Sequence, residues 1–149
     1  MMERAEIEKV IPHRAPFLWI DRVVELEPGI RCAAVKWIDP AEPAFGGHFP
    51  GRPILPGIFL IEAVAQTAGV MLGAALGTGS GTGAPPEAGA TPLLAAVNRF
   101  KFLHPVLPGQ ELRIVTTRLT EAGKMACIEG KVTVNGVMVA VGELTVVSA

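Results

Sequence analysis

The feature that most constrains this fold is residues 58–76, a run of 19 residues whose only charged side chain is Glu62 and whose only amide is Gln66. Its length and apolar composition predict one long helix. A helix that is apolar nearly all round is buried, either in the core of a protein or in a membrane. The rest of the sequence indicates which of these two environments the helix occupies.

A membrane span is the alternative to a core helix, because roughly 20 apolar residues suffice to cross a bilayer. Gly69 and Gly73 even form the G-x-x-x-G spacing that favours helix contact in lipid. However, Glu62 and Gln66 lie one turn apart on the same face, no basic residues flank the segment, and strand-like sequence follows it. We therefore expect no membrane span, and a helix covered by a curved sheet or by a partner subunit.

The remaining sequence predicts strands separated by turns. Runs rich in Val, Leu, Ile and Thr predict four strands after the helix, at residues 93–103, 111–120, 124–134 and 137–147. Asn135-Gly136 separates the last two, and a type I′ turn needs positive φ at both central positions, so these two strands should pair antiparallel. Two strands are expected before the helix, at residues 17–26 and 32–38. This order predicts a single α+β domain over residues 1–149, with one long helix against one antiparallel sheet.

Composition narrows the class of protein. The chain has 13 basic and 14 acidic side chains, so its net charge creates no strong electrostatic field that would attract nucleic acid. Cys32 and Cys127 have neither zinc-ligand nor disulfide spacing and are expected to be buried, and the N terminus lacks the apolar core of a secretory signal. We expect a cytoplasmic protein. Residues 77–92, rich in Gly, Thr, Ala and Pro, are expected to form a flexible surface connection.

Three groups suited to catalysis occur within 15 positions of one another. His48, in a loop framed by Gly and Pro, offers an imidazole that accepts a proton near neutral pH. Glu62 offers a carboxyl group in a dry place, where it needs a partner or a proton. Pro56-Gly57 supplies free backbone N–H groups at a helix start, which can bind a developing oxyanion. Gln66 either satisfies a buried polar group or orients Glu62 from one turn away.

Structural explanations compete with these roles. A loop histidine is more often structural or solvated than catalytic, and this applies to His48 when it is taken alone. His13 is expected to brace the N-terminal turn, and His104 precedes Pro105 in what is predicted as a strand-end loop. Neither of these two histidines is expected to take part in chemistry.

Taken together, the motifs resemble those of the bacterial 3-hydroxyacyl-acyl carrier protein dehydratases. The resemblance rests first on GHFPGRP at 47–53, followed in the same order by PG at 56–57, EA at 62–63 and AQ at 65–66. It extends to PHRAPF at 12–17, IDRV at 20–23 and PVLPG at 105–109, and so covers most of the chain.

This resemblance implies a hot-dog fold, paired into homodimers that often assemble as trimers of dimers, with no metal and no redox cofactor. It implies that (3R)-3-hydroxyacyl-acyl carrier protein is dehydrated to the trans-2-enoyl thioester. His48 from one subunit would remove a C2 proton, while Glu62 on the partner's central helix would protonate the departing hydroxyl. The resemblance assigns the backbone N–H of Gly57 to the thioester carbonyl, and Gln66 is a further candidate for substrate binding beside its role of supporting Glu62.

The sequence departs from the family pattern in three places. The 77–92 tract is richer in Gly and Pro than usual, and the chain has no Tyr, so the aromatic gate of some members is absent. Where relatives commonly carry two basic residues before Pro105, this chain has Leu103-His104. Arg99 and Lys101 are then the candidates for docking an acidic carrier protein, the alternative being an ordinary solvated strand face.

Three alternative functions remain open on the same fold. A related dehydratase also isomerises the double bond, but it typically has Asp at the position of Glu62. A hot-dog acyl thioesterase needs a placed water rather than a paired base and acid. A non-catalytic acyl-carrier-binding subunit usually lacks the histidine or the acid, and this chain has both.

Overall fold

The computed structural model of the chain describes residues 1–77 and 92–148. These contain two α-helices, α1 (Arg4–Val10) and α2 (Gly57–Ala75), and a short 3-10 helix (Pro43–Gly46). The six strands are β1 (Arg22–Glu27), β2 (Arg31–Trp37), β3 (Pro92–Phe102), β4 (Glu111–Ala122), β5 (Met125–Val134) and β6 (Val137–Ser148). The long helix and the last five strands are confirmed, each with ends within two residues of the prediction.

The strands form one antiparallel sheet in the order β1-β2-β4-β5-β6-β3. In the turn between β5 and β6, Asn135 and Gly136 have φ values of 48° and 79°. The predicted turn with positive φ at both positions is therefore confirmed, as is the antiparallel pairing of these two strands. One sheet and one long helix make this the predicted α+β architecture.

Helix α2 packs against the sheet and contributes to two buried clusters. Its first half, including Leu60 and Val64, packs with residues of the later strands. Its second half, including Val70 and Met71, packs with the N-terminal segment and β1. The approach to β5 is close: a Cβ at Gly130 would lie 2.3 Å from Val64 Cγ1, so only glycine fits there.

Within the described residues, α2 is also the one helix long and apolar enough to cross a bilayer, judged by length and composition. Nine of its 19 residues are buried inside the protein. Packing inside the protein therefore accounts for the apolar composition that raised the alternative of a membrane span.

The prediction of a strand over residues 17–26 is wrong for residues 17–21, since β1 begins at Arg22. Phe17 N–H instead donates to Arg14 O at 2.8 Å, which closes a turn. Trp19 N–H donates to the Gln66 side chain at 2.7 Å rather than to a neighbouring strand. This stretch of backbone is therefore bound to α2, with direct consequences for the functional site.

Helix α1 was missed by the sequence analysis. It begins with a capping box in which the side chains of Glu3 and Glu6 each accept a backbone N–H of the first turn, and it buries Ile7 and Val10 on one face. Glu-x-x-Glu followed by apolar residues three apart is a readable signal for a short helix.

The two cysteines differ in their exposure to solvent. Cys32 is buried as predicted, and burial raises the pKa of its thiol to about 12. Cys127 is partly exposed, contrary to the prediction, with its Sγ 3.9 Å from a Glu143 carboxylate oxygen. The flexible connection predicted at about 77–92 falls, for residues 78–91, outside the described part of the chain.

Candidate active site

His48 lies in the loop between the 3-10 helix and α2, with one ring nitrogen fixed. Its Nδ1 lies 2.8 Å from Ile54 O. Because a carbonyl oxygen only accepts, Nδ1 carries the proton of the neutral ring and Nε2 keeps its lone pair. Ile54 N–H donates in return to His48 O at 2.9 Å, and the Phe49 ring stacks on the imidazole with centroids 4.0 Å apart. The histidine is thus held in the tautomer that can act as a base at Nε2.

A mostly apolar cavity of about 460 Å³ opens beside His48 at the start of α2. Gly57 lies in its wall and begins the helix, where the first N–H groups have no acceptor within the helix. A Cβ at this position would lie 2.8 Å from Phe102 Cε1, so the glycine lets the ring of Phe102 rest on the helix start. His104 also lines this cavity, together with Ile54, Leu55, Ile58, Leu60, Ile61, Leu103, Pro105 and Val106.

Glu62 lies on a different face of α2, with its side chain 22% exposed. Gln66 Nε2, one turn further along, donates to Glu62 Oε1 at 2.7 Å. Gln66 itself is 1% exposed; its Oε1 accepts the N–H of Trp19, and its Nε2 also donates to Phe17 O at 2.7 Å. These bonds use both hydrogens of the amide. The prediction that Gln66 contacts substrate therefore lacks a free donor in this structure, whereas a role in orienting Glu62 fits the geometry.

His13, which the sequence predicts to be structural, lies near Glu62. Its Nε2 lies 3.7 Å from Glu62 Oε1, and its side chain is 27% exposed. Burial lowers the pKa of His13; the Glu62 carboxylate opposes that shift and Arg14 adds to it. The sequence offers only a weak signal for this contact, since the two residues are 49 positions apart and His13 lies in the loop motif PHRAPF.

Among residues 1–77 and 92–148, His48 and Glu62 line different cavities. Glu62 lines two cavities, one shared with His13 and one shared with Phe17 and Trp19, and neither includes His48. The cavity beside His48 in turn does not include Glu62. In the part of the chain that the structure describes, the two proposed catalytic side chains thus line separate cavities.

Arg99 and Lys101 lie on β3, at a groove that also includes Glu129 and Glu143. Arg99 adopts a φ of 50° at a bulge between β3 and β6. Its Nη2 lies 2.7 and 2.8 Å from the two carboxylate oxygens of Glu143. The guanidinium of Arg99 is therefore already paired, whereas the side chain of Lys101 is exposed on the same strand.

Comparison with known proteins identifies similar sequences. The FabA-like domain matches residues 11–143. The 3-hydroxyacyl-[acyl-carrier-protein] dehydratase FabZ of Geotalea uraniireducens is 41% identical over 143 residues, covering 96% of this chain and 94% of the relative. The FabZ of Roseiflexus is 42% identical, with 97% and 94% covered, and that of Campylobacter concisus is 40% identical, with 97% and 95% covered.

Solved structures with the same fold are more distant in sequence. The dehydratase heterocomplex ApeI:P from Xenorhabdus doucetiae superposes with a TM-score of 0.77 at 20% identity, covering 96% of this chain and 90% of that one. A hypothetical thioesterase solved with coenzyme A from Streptococcus pneumoniae has a TM-score of 0.63 at 11% identity, covering 86% and 84%. At these identities the likeness shows the fold alone, and it confirms the predicted hot-dog fold.

Proposed function

This chain belongs to the 3-hydroxyacyl-[acyl-carrier-protein] dehydratases of the FabA-like family, and from that premise we propose that His48 and Glu62 form its acid–base pair. The enzyme is a lyase that removes water from a 3-hydroxyacyl group on acyl carrier protein, a step of fatty-acid biosynthesis. The family membership settles the reaction. The assignment of residues to its steps is our proposal.

His48 acts as the base. Its Nε2 lone pair takes the C2 proton of the (3R)-3-hydroxyacyl thioester, and the Nδ1–H bond to Ile54 O stabilises the imidazolium that forms. The pair of electrons left on C2 becomes the C2–C3 double bond. The hydrogen bond to Ile54 is the observation that carries this assignment, because it leaves Nε2 free for the substrate.

Glu62 acts as the acid. As the C3–O bond breaks, Glu62 gives its proton to the 3-hydroxyl group, which leaves as water, and the product is the trans-2-enoyl thioester. Gly57 N–H donates to the thioester carbonyl oxygen, on which negative charge develops during removal of the C2 proton. The turnover ends with His48 protonated and Glu62 ionised. A proton must therefore return to Glu62 before the next turnover.

The pair forms across a homodimer. Strand β3 lies at one edge of the sheet, and eight of its 11 residues are exposed. Long edge strands are normally protected, and exposed apolar side chains on them mark an interface. Those on or next to β3 include Leu93, Leu94, Val97, Phe102 and Leu103. A second copy covering this edge puts His48 of one subunit opposite Glu62 of the other, and such dimers can assemble further in threes.

Carrier-protein docking is assigned to the groove that β3 forms with Glu129 and Glu143, apart from the apolar side chains that the second copy covers, with Lys101 as the main contact because Arg99 is paired with Glu143. Lys101→Glu should raise KM for acyl-acyl carrier protein several-fold and leave kcat unchanged, since a surface charge acts on encounter. Lys124→Glu, at an exposed turn between β4 and β5, is the matched control. Equal KM values in both variants would contradict the assignment. Docking of this carrier takes place in the cytoplasm.

The proposed roles are tested with (3R)-3-hydroxyacyl-acyl carrier protein as substrate and mass spectrometry of the products. We expect loss of one water by the wild-type enzyme, and almost no product from His48→Ala or Glu62→Gln, both folded. Free acid would instead indicate a thioesterase. Near-normal turnover by either variant, or no product from the wild type at any chain length, would contradict the roles assigned here.

A further inference from the structure

The two carboxyl oxygens of Glu62 have different surroundings. Gln66 Nε2 donates to Oε1 at 2.7 Å, and His13 Nε2 approaches the same oxygen at 3.7 Å. The orientation of the Gln66 amide is fixed by chemistry, because its Oε1 accepts the Trp19 N–H, which can only donate. A hydrogen therefore points from Gln66 at Glu62 Oε1.

His13 is constrained in a similar way. Its Nδ1 is buried and has no hydrogen-bond partner among the residues that the structure describes. A buried N–H without an acceptor costs more than a bare acceptor without a donor, so the proton of the neutral ring belongs on Nε2. The Nε2–H then faces Glu62 Oε1 at 3.7 Å, longer than a hydrogen bond, so His13 places the positive end of an N–H dipole beside the oxygen that Gln66 already binds.

We propose that His13 is a positioning residue that, with Gln66, keeps Glu62 Oε1 as an acceptor and leaves Oε2 to carry the proton given to the substrate. This inference rests on the proposed role of Glu62 as the acid. An oxygen facing two N–H donors is best matched by the carbonyl oxygen of a carboxylic acid, so the acidic hydrogen lies on the other oxygen.

The N-terminal loop and α2 support this arrangement as a unit. Gln66 Nε2 also donates to Phe17 O at 2.7 Å, and the ring of Phe17 stacks against that of His13 with centroids 6.1 Å apart. Arg14 Nη1 donates to His13 O at 2.8 Å. The loop thereby holds the imidazole beside Glu62. Loss of the His13 donor should let the carboxyl group rotate, which lowers the rate of proton transfer and leaves substrate binding unchanged.

Three substitutions of His13 separate the donor from the packing. His13→Leu keeps apolar volume and removes the donor. His13→Gln places an amide nitrogen near the position of Nε2, whereas His13→Asn places one near Nδ1. Measured on hydroxyacyl-acyl carrier protein, His13→Leu should lower kcat roughly tenfold with KM within about twofold of wild type. His13→Gln should restore most of kcat, and His13→Asn should not.

A double-substitution cycle shows whether His13 acts through Glu62. In the Glu62→Gln background, His13→Leu should cause no further loss of the residual rate, because the group it positions is gone. If Glu62→Gln alone keeps near-normal turnover, the proposed function fails. If Glu62→Gln is inactive but His13→Leu keeps the wild-type kcat, only the positioning role fails.

The comparison of amide variants keeps the test decisive if His13→Leu does not fold. A higher kcat for His13→Gln than for His13→Asn, at similar melting temperatures, supports a donor directed at Glu62. Equal kcat values for these two variants, or a lower value for His13→Gln, would overturn the proposal.

Discussion

Replacing Gly57 with alanine should damage the site through one neighbouring ring. A Cβ at position 57 would lie 2.8, 3.0 and 3.1 Å from three carbons of the Phe102 ring. Carbon atoms in good contact lie about 3.5–4.0 Å apart, so the ring has to move by roughly 0.7 Å or more. Phe102 lines the cavity beside His48, and displacement of its ring changes the space proposed for the thioester.

The size of the effect follows from the exposure of that ring. Adding a methyl group to a packed position introduces a strain free energy of about 1–3 kcal/mol. Phe102 is 51% exposed in the single chain but is among the side chains that the second subunit covers, so the whole range applies. A loss of about 1.4 kcal/mol in transition-state binding lowers kcat/KM about tenfold. Alanine keeps the backbone N–H at position 57, so the variant should retain a readily measured kcat/KM.

Steady-state kinetics with hydroxyacyl-acyl carrier protein measure this loss, and the second substitution Phe102→Ala identifies its cause. In the Phe102→Ala background, Gly57→Ala should have almost no further effect on kcat/KM, since the clashing ring is absent. The reasoning is refuted if Gly57→Ala has wild-type kcat/KM, or if it costs the same factor with and without the ring.

Gly130→Ala should lower the melting temperature by more than 5 °C, because its Cβ would lie 2.3 Å from Val64 Cγ1, and Val64→Ala should relieve part of that loss; additive losses in the double variant would count against this contact. Cys32, with a pKa raised to about 12 by burial, should resist alkylation at pH 8 until the protein unfolds, whereas the partly exposed Cys127 should react in the folded state. Peptide mass spectrometry measures the alkylation rate of each cysteine, and equal rates would contradict this prediction. Burial lowers the pKa of His13 below its ordinary value of 6.5, so the unfolded chain binds the extra proton first as pH falls below that value, and stability declines there. His13→Gln should therefore show a smaller fall in melting temperature between pH 7.5 and 5.5 than wild type, and an unchanged fall would contradict this origin.

Much of the fold can be predicted from the sequence because its signals are local. The apolar run around Glu62 predicts α2, and the positive-φ pair Asn135-Gly136 predicts the last hairpin. Residues 17–21 could not be assigned in this way. Phe17 and Leu18 donate to Arg14 O in a turn, while Phe17 O and Trp19 N–H bond to the side chain of Gln66, almost 50 residues away along the chain.

The candidate site also combines residues that can be predicted from local sequence with contacts that cannot. His48, Gly57 and Glu62 could be selected because they lie close together in the sequence around the start of one helix. The contact of His13 with Glu62 spans 49 positions and has no local pattern. The separation of His48 and Glu62 into different cavities becomes visible only when the two faces of α2 are seen in the folded chain.

The most direct test of an active site shared between two subunits is the activity of mixed dimers. His48→Ala and Glu62→Gln chains, each inactive alone, are co-expressed with different affinity tags, and the mixture is assayed for dehydration. Random pairing makes half of the dimers mixed, and each mixed dimer has one site with both residues intact, so we predict about one quarter of the wild-type rate. If His48 and Glu62 of the same chain acted together, every site in a mixed dimer would carry one defect. Activity no higher than that of the separate variants would therefore contradict the account.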